Sequence, residues 1–326
     1  MQLFPYNIKP ALFHMKPSFY LISCSVLALA LALPLRVSAA ELQSSDRAAN
    51  DSFGQRGVSL SGSIGLVGAA GDDGQRGSAY GFRNLDVATG TVTQNAKLIA
   101  SDRATFDYFG FSVSLSGSVG LVGAYGDSDA GIFSGSAYVF RNLDTATGNV
   151  TQNVKLTASD RVDSDNFGIS VSLSGSIGII GDDGDDANRG SAYVFRNLDT
   201  ASGAINQNAR LIASDRATGD NFGYSVAMSG TIGLSGAYGD DDNGSESGSA
   251  YVFRNLDTAT GNITQAAKLT ASDGAAGDWF GRAVSQSSGI GLVGAYADDD
   301  MGSNSGSAYV FRSLDTAPEI SLKTRS

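Results

Sequence analysis

Residues Asp220–Arg254 read DNFGYSVAMSGTIGLSGAYGDDDNGSESGSAYVFR. The stretch opens on Phe222-Gly223. Two short apolar runs come next, joined by Ser229-Gly230-Thr231. An Asp/Gly-rich loop then leads to Ser249-Ala250-Tyr251. Four near-copies accompany it, because Phe-Gly stands at 53, 109, 167, 222 and 280, at intervals of 56, 58, 55 and 58 residues. The intervals differ mainly in the Asp/Gly loop, where repeats tolerate insertion. The chain of 326 residues is thus one unit used five times.

Phe222, Tyr224, Val226 and Met228 alternate with small residues, the period of two that marks a strand with one bulky face. Ser229-Gly230-Thr231 is a hairpin turn, and Ile232–Ala237 a second strand. Gly233 and Gly236 have counterparts at Gly65/Gly68, Gly120/Gly123, Gly178/Gly181 and Gly291/Gly294. Glycine weakens a strand interior, so its repetition predicts the close approach of another backbone or ring. Ser249–Arg254 is apolar on both faces, which suits a sheet lying between two others. The fourth strand runs from Asn262 to Ala271; the phase of the repeat also allows the same segment of the preceding unit, Arg210 to Asp215, to serve this blade.

No stretch beyond the leader carries a sustained helical period. One four-stranded unit cannot bury both its faces, whereas radially stacked neighbours can. The expected fold is therefore all-β: a β-propeller of five blades, each of four antiparallel strands. The fourth-strand ending recurs at Lys97–Asp102, Lys155–Asp160, Arg210–Asp215 and Lys268–Asp273, and once more at Glu41–Asp46, ahead of the first Phe-Gly. The last unit ends in a divergent tail. Residues 41–47 are thus expected to complete the fifth blade and close the ring, giving a monomer; a larger ring made by pairing chains is the alternative. In the first unit FGQRGVSL has one residue more than FGFSVSL, which predicts a bulge near Arg56-Gly57. In the fifth, Arg282 and Gln286 replace bulky apolar residues.

Residues 1–40 hold Lys9, Lys16 and Arg36, no acid, and an apolar run from Phe19 to Leu35 ending near Val37-Ser38-Ala39-Ala40. That is the form of a secretory signal peptide cleaved near Ala39/Ala40. A start at Met15 gives the more usual Met-Lys-Pro opening, and Leu21-Ile22-Ser23-Cys24 has the form of an acylation box, although most of the apolar run lies beyond the Cys. The remainder, 41–326, is a single domain of five repeats at about 47–102, 103–160, 161–215, 216–273 and 274–326. It is expected to be exported, to the surface, the periplasm or the medium, with no membrane span. Cys24 and His14, the sole Cys and His, leave with the leader, which removes disulfides, thiol nucleophiles, imidazole triads and His/Cys zinc sites. What remains has 19 basic against 33 acidic residues, a net −14 that disfavours nucleic acid.

These units resemble the FG-GAP repeat of integrin α-chain propellers and of many exported bacterial proteins. Phe109-Gly110, Val122-Gly123-Ala124 and Ala137-Tyr138-Val139-Phe140 carry the resemblance, as do Phe222-Gly223, Gly236-Ala237 and Tyr251-Val252-Phe253. The resemblance covers all five units and implies a propeller used in extracellular binding or adhesion. Integrin-type units hold Ca²⁺ in an acidic loop between the FG and GAP strands; here a short turn such as Ser116-Gly117-Ser118 stands there, so that calcium does not transfer. The third unit also departs, with Asp182-Asp183 after Gly181.

The acids lie instead in the loop after the GA strand: Asp72-Asp73, Asp127/Asp129, Asp182-Asp183-Asp185-Asp186, Asp240-Asp241-Asp242 and Asp298-Asp299-Asp300. A second set, including Asp102/Asp107 and Asp215/Asp220, links each fourth strand to the next unit and is expected on the same rim. Only Glu41, Glu246 and Glu319 among the 33 acids are Glu, and Asp favours loops that turn back on their own backbone. The competing reading makes Asp182, Asp183, Asp185, Asp186, Asp240–Asp242 and Asp298–Asp300 weak Ca²⁺ ligands, since Ca²⁺ accepts several oxygens in flexible geometry. Asp51, Asp107, Asp165, Asp220 and Asp278 are expected to cap turns, and Arg83, Arg141, Arg196, Arg254 and Arg312 to pair with acids or cover strand ends. Residues that break the repeat are better candidates for ligand contact: Trp279, Tyr108 in the same slot, and Glu246. Packing between blades is the plain alternative for the two rings. Paired carboxylates can hydrolyse glycosides, but these pairs recur fivefold and none is singular, so the expected class is a non-enzymatic binding or adhesion module with a protein or glycan ligand.

Overall fold

The structure is a computed structural model that describes residues 39–203 and 205–316. The leader, with the Met15 start and the Cys24 box, and the tail from 317 onward lie outside the described residues. Among those described, no helix is long and apolar enough to cross a membrane.

Each unit folds as an antiparallel meander. In unit 4, Ser225–Ser229 pairs with Ile232–Ala237, which pairs with Ser249–Phe253, which pairs with Ala267–Leu269. The fourth strand therefore comes after the third; Ala209–Ile212 belongs to the sheet of unit 3. Units 1 to 3 repeat the order, and unit 5 has three described strands, Phe280–Ser287, Ile290–Ala295 and Ser307–Phe311. The result is the all-β, five-bladed array expected from the repeat. Each third strand of units 1 to 4 is buried along its whole length, because a neighbouring sheet covers either face. Inside each blade the Phe of Phe-Gly packs on the Tyr and Phe of that strand, as Phe222 does on Tyr251 and Phe253 at 5.5 and 5.8 Å.

The structure departs from the sequence pattern in one place. The segment from Asn262 onward is not one strand, because it breaks at Gln265-Ala266. Gly261–Thr264 runs parallel to Ala209–Ile212 of the preceding unit, and only Ala267–Leu269 joins its own blade. The Gln265 side chain fixes the break. It accepts from Ser214 N–H at 3.0 Å and donates to Ser214 Oγ at 2.8 Å, clasping the end of the previous fourth strand. Gln94–Ser45 and Gln152–Ser101 repeat the clasp. The N-terminal strand follows the same rule: Ala40–Gln43 runs parallel to Gly90–Thr93 of unit 1, as the fourth strand Ala96–Ile99 does with Gly148–Thr151 and Ala209–Ile212 with Gly261–Thr264. That is the place expected of the strand that completes blade five; no described ladder joins it to Ser307–Phe311. Ser45 is held by Gln94, and Asp46 by Lys97 at 2.6 Å and Tyr80 at 3.0 Å.

Successive blades meet through backbone. A methyl group on Gly68, Gly123, Gly181 or Gly236 would overlap the carbonyl oxygen of Gly110, Gly168, Gly223 or Gly281 in the next blade. Serines lace the inner strands: Leu115 N–H donates to Ser59 Oγ and Leu173 N–H to Ser114 Oγ, both at 2.9 Å. On the opposite rim Arg83, Arg141, Arg196 and Arg254 donate to backbone carbonyls of the next unit, Arg83 to Asp144 O at 2.7 Å and Arg254 to Leu314 O at 2.7 Å. The bulge near Arg56 is present. Gly54 and Gly57 both bond Gly68, leaving Gln55 and Arg56 where unit 2 has Phe111 alone.

The glycine contacts predict that Gly236→Ala costs more than about 3 kcal/mol, the upper range of an overpacked core site. Gly230→Ala, at a turn with open space around it, should cost about 1 kcal/mol from its positive φ. Urea denaturation of the two variants checks the contrast; equal losses would show that the junction glycines are not the constraint.

Candidate functional site

The two acidic loop sets do meet on one rim. Asp102, Asp127 and Asp129 bring carboxylate oxygens within 4.8 Å of one another, as do Asp215, Asp240 and Asp242. Each trio surrounds a lysine. Lys268 Nζ lies 2.7, 2.8 and 2.5 Å from Asp215, Asp240 and Asp242, and Lys155 is held alike by Asp102, Asp127 and Asp129. Tyr251 Oη donates to Asp240 at 2.7 Å and to Asp215 at 3.1 Å. Burial works against the charge on Lys268, but its hydrogen bonds to the three carboxylates outweigh this and hold its pKa above the ordinary lysine value. Burial likewise opposes ionisation of Asp240, and the bonds from Lys268 and Tyr251 reverse it, so its pKa is lowered.

The fourth-strand cation thus stands where a metal ion would have to sit. Unit 1 uses Lys97 between Asp46 and Asp72, and unit 3 uses Arg210 between Asp160 and Asp185. In units 1 to 4 these carboxylates do not fit a resident Ca²⁺, and the turn between the first two strands carries no acid in any unit. The remaining candidates are dispersed. Asp241 accepts from Glu246 N–H at 2.7 Å, Asp186 pairs with Arg189 and Arg216, and Asp298 accepts from Tyr309 Oη at 2.9 Å beside exposed Asp299 and Asp300. Asp183 is buried and accepts from Asn166 at 3.2 Å; burial raises its pKa to about 6.

Asp182 stands apart. It takes the place of the alanine in the GA pair, is fully buried, and neither carboxylate oxygen has a hydrogen-bond partner. Burial first, then Asp165 and Asp185 nearby, push its pKa well above the ordinary carboxylate value. The turn-capping aspartates share part of this environment. Asp107, Asp165 and Asp220 accept from Ala104, Val162 and Ala217 N–H, as expected of caps, yet burial carries each to about 6.

The repeat is broken by rings. Trp279 stacks on Tyr296 at 5.9 Å and donates from Nε1 to Glu246 at 2.9 Å, so two candidates from distant loops meet. Arg282 lies 4.9 Å from the Trp279 ring, and 5.3, 5.4 and 5.4 Å from Tyr224, Tyr238 and Tyr296. Tyr108 belongs to a second cluster, stacked on Tyr125 at 5.1 Å beside Phe111. Arg56, thrown inward by the bulge, joins the two: its guanidinium sits 4.8 Å from Phe111 and donates to Tyr224 Oη at 3.3 Å. These groups ring the central opening, and a cavity of about 770 Å³ lies against Arg56, Tyr224, Arg282 and Tyr296. The sequence pattern does not single out Arg282 and Arg56 as binding groups. A signal is present all the same, since each replaces or adds to an apolar position of the repeat.

Five radially stacked units with a Phe-Gly opening and a Gly-Ala second strand define a propeller-type repeat protein. The model of the FG-GAP repeat matches residues 37–82, 92–140, 150–195, 205–253 and 263–311, and the chain belongs to that family. Among solved structures it is similar to the WD40 domain of Toxoplasma gondii coronin, at 10% identity and a TM-score of 0.47, over 83% of this chain and 58% of that one. Curated proteins give no significant match.

Lys268→Ala should free one carboxylate trio, so that millimolar Ca²⁺ raises the melting temperature of the variant but not of the parent. An equal rise in both would show that lysine does not block the site. Stability should also fall as pH rises. The folded pKa values of Asp107, Asp165 and Asp220, about 6, exceed the ordinary 3.8, so their contribution is whole below 3.8 and is lost between there and 6. Melting scans across that window should show a decline, each kcal/mol appearing as about 2–4 °C. Asp182→Ala, which restores the alanine of the other units, should raise the melting temperature above pH 4 and flatten the decline.

Proposed function

We propose that this FG-GAP propeller is an exported, non-enzymatic binding module whose ligand seats on the central opening of the acidic rim. The ligand class is an extracellular protein or glycan that presents a ring or sugar face to Trp279 and Tyr296 and acidic groups to Arg282 and Arg56. The observation that carries the reading is the Arg282 cluster. The carboxylates of units 1 to 4 are bonded inside the fold by Lys97, Lys155, Arg210 and Lys268, whereas Trp279, Glu246 and Arg282 have no identical counterpart in their slots and leave the neighbouring Tyr296 62% exposed. Function that selects one ligand breaks the symmetry of a repeat; groups present in every unit serve the fold. The same bonding argues against hydrolysis, since carboxylates tied to lysine and tyrosine offer no acid and base pair of differing pKa across one bond.

A glycan and matrix-protein array probed with the purified chain tests the reading. Binding should fall at least tenfold in Trp279→Ala/Tyr296→Ala, about 1.4 kcal/mol or more, with an unchanged melting temperature. Binding that survives both substitutions would move the site elsewhere, and turnover of an array glycan would replace a binding module with an enzyme.

A further inference from the structure

The rim loops of every unit hold three backbone positions in the left-handed region. At the first, Phe106 stands where the other units have Asn, Ser or Gly. At the second, Tyr108 stands where three of the others have Ser or Asn. At the third, Phe133 stands where the others have Gln, Asn or Glu. The three rings of unit 2 sit at φ of 75°, 54° and 55°. A side chain with a Cβ is strained there; glycine is not, and asparagine is tolerated best of the rest. Unit 2 alone fills all three positions with rings, and it leaves Phe106 52% exposed. Neither backbone preference nor burial accounts for that choice. Strained residues held against both mark places of contact.

The same rings begin a line of contacts that crosses the rim. Phe106 lies 6.4 Å from Tyr108, Tyr108 stacks on Tyr125, and Phe133 stands 6.4 Å from Tyr125. Phe111 carries the line from Tyr125 to Arg56, and Arg56 passes it to Tyr224. Tyr238, Trp279 and Tyr296 continue it, at successive centroid distances of 4.8, 6.1 and 5.9 Å. Both ends have one construction: a ring in the second left-handed position with an acceptor at its edge, supplied by the third position of the preceding unit. Tyr108 Oη donates to Gln75 Oε1 at 3.0 Å, and Trp279 Nε1 to Glu246 Oε2 at 2.9 Å. Arg56 and Arg282 sit along the line, and among the described residues each rests on rings and pairs with no carboxylate.

We infer that the ligand is an acidic polysaccharide, a chain of sugars bearing carboxylates, which lies along this line and occupies a second platform on Phe106, Tyr108 and Phe133. The inference rests on the central opening as the binding site and adds the ligand's chemistry and the second platform. A sugar has an apolar C–H face and an edge of hydroxyl donors, which fit a ring flanked by a carboxamide or carboxylate acceptor. Two such places on one line suit a ligand that itself repeats. Carboxylates of the chain meet Arg56 and Arg282, whose planar guanidinium groups take a carboxylate through two N–H donors. Exposed acids border the line, Asp163 at the N–H of Ile132 and Asp241 at that of Glu246. An anionic chain is thus drawn along the arginines and repelled to either side, which fixes its path. A chain that spans both platforms gains affinity by effective concentration.

Calorimetric titration of the full chain with galacturonate, alginate and hyaluronan oligomers of graded length tests this. A long oligomer of at least one of them should bind at least tenfold tighter than its disaccharide, and added salt should weaken it. Polyglutamate of equal charge should not compete. Phe106→Asn/Phe133→Asn, which installs a residue suited to the left-handed backbone, should bring the long oligomer down to the affinity of the disaccharide without lowering the melting temperature. No binding of any of the three, equal affinity for long and short oligomers, or competition by polyglutamate would overturn the inference. So would a variant that melts lower and keeps the length advantage, which would return the rings to packing. Binding that Trp279→Ala/Tyr296→Ala abolishes, but that neither length nor the unit 2 substitutions alter, keeps the central opening and overturns the second platform.

Discussion

The contact between a second-strand glycine and the carbonyl of the next Phe-Gly sets the geometry of the whole molecule. At Gly123 and Gly168 no side chain separates the two backbones, so the blades approach closer than ordinary sheet packing allows. That approach sets the angle between blades and buries the third strand on both faces. It also brings the inner strands near enough for serine hydroxyls to reach across. The glycine is costly in an isolated strand, where it loses entropy and packs nothing. It is retained because the junction, rather than the blade, is the unit of stability, as in other arrays whose repeats fold only against their neighbours.

Electrostatics repeats the same design. A carboxylate at the end of one fourth strand, such as Asp102, is bonded by the tyrosine and the lysine of the next blade, Tyr138 and Lys155. A strongly acidic rim would repel itself at these separations; one partly buried ammonium among three carboxylates offsets much of that repulsion and ties two units together. The aspartates are therefore junction groups, and the high Asp content reflects the number of junctions more than a metal requirement.

The strands, turns and glycine contacts are legible in the sequence because each rests on local pattern: period two along Phe222–Met228, a Ser-Gly turn, a glycine at a fixed offset. The single rim is legible from topology. The role of Lys268 is not, since its partners lie 26, 28 and 53 residues away and nothing in a run of aspartates shows that a cation from another strand will fill it. The break at Gln265 escapes for the same reason: Asn262–Ala271 has strand-like composition throughout, and only the distant Ser214 divides it. Trp279 and Glu246 are each visible as departures from the repeat, but their hydrogen bond depends on how two loops of adjacent units fold over the rim.

The departures themselves sort by position along the array. Arg56 and Arg282 lie in the first and last units. Arg282 stands in the slot of Phe111, Ile169 and Tyr224, which line one opening with it and Arg56, so the charge replaces an apolar ring or chain without entering the space between sheets, and it finds four rings there. Asp182 is the contrary case. It sits in the central unit, where the alanine it replaces is enclosed on every side, and its carboxyl gains no bond to compensate for leaving water. Burial without a partner destabilises by an amount that four sound junctions can absorb, so this residue marks how much local disorder of chemistry the array tolerates. The two arginines that depart from the repeat, Arg56 and Arg282, stand in the first and fifth units and meet rings of units 2, 4 and 5 across one opening.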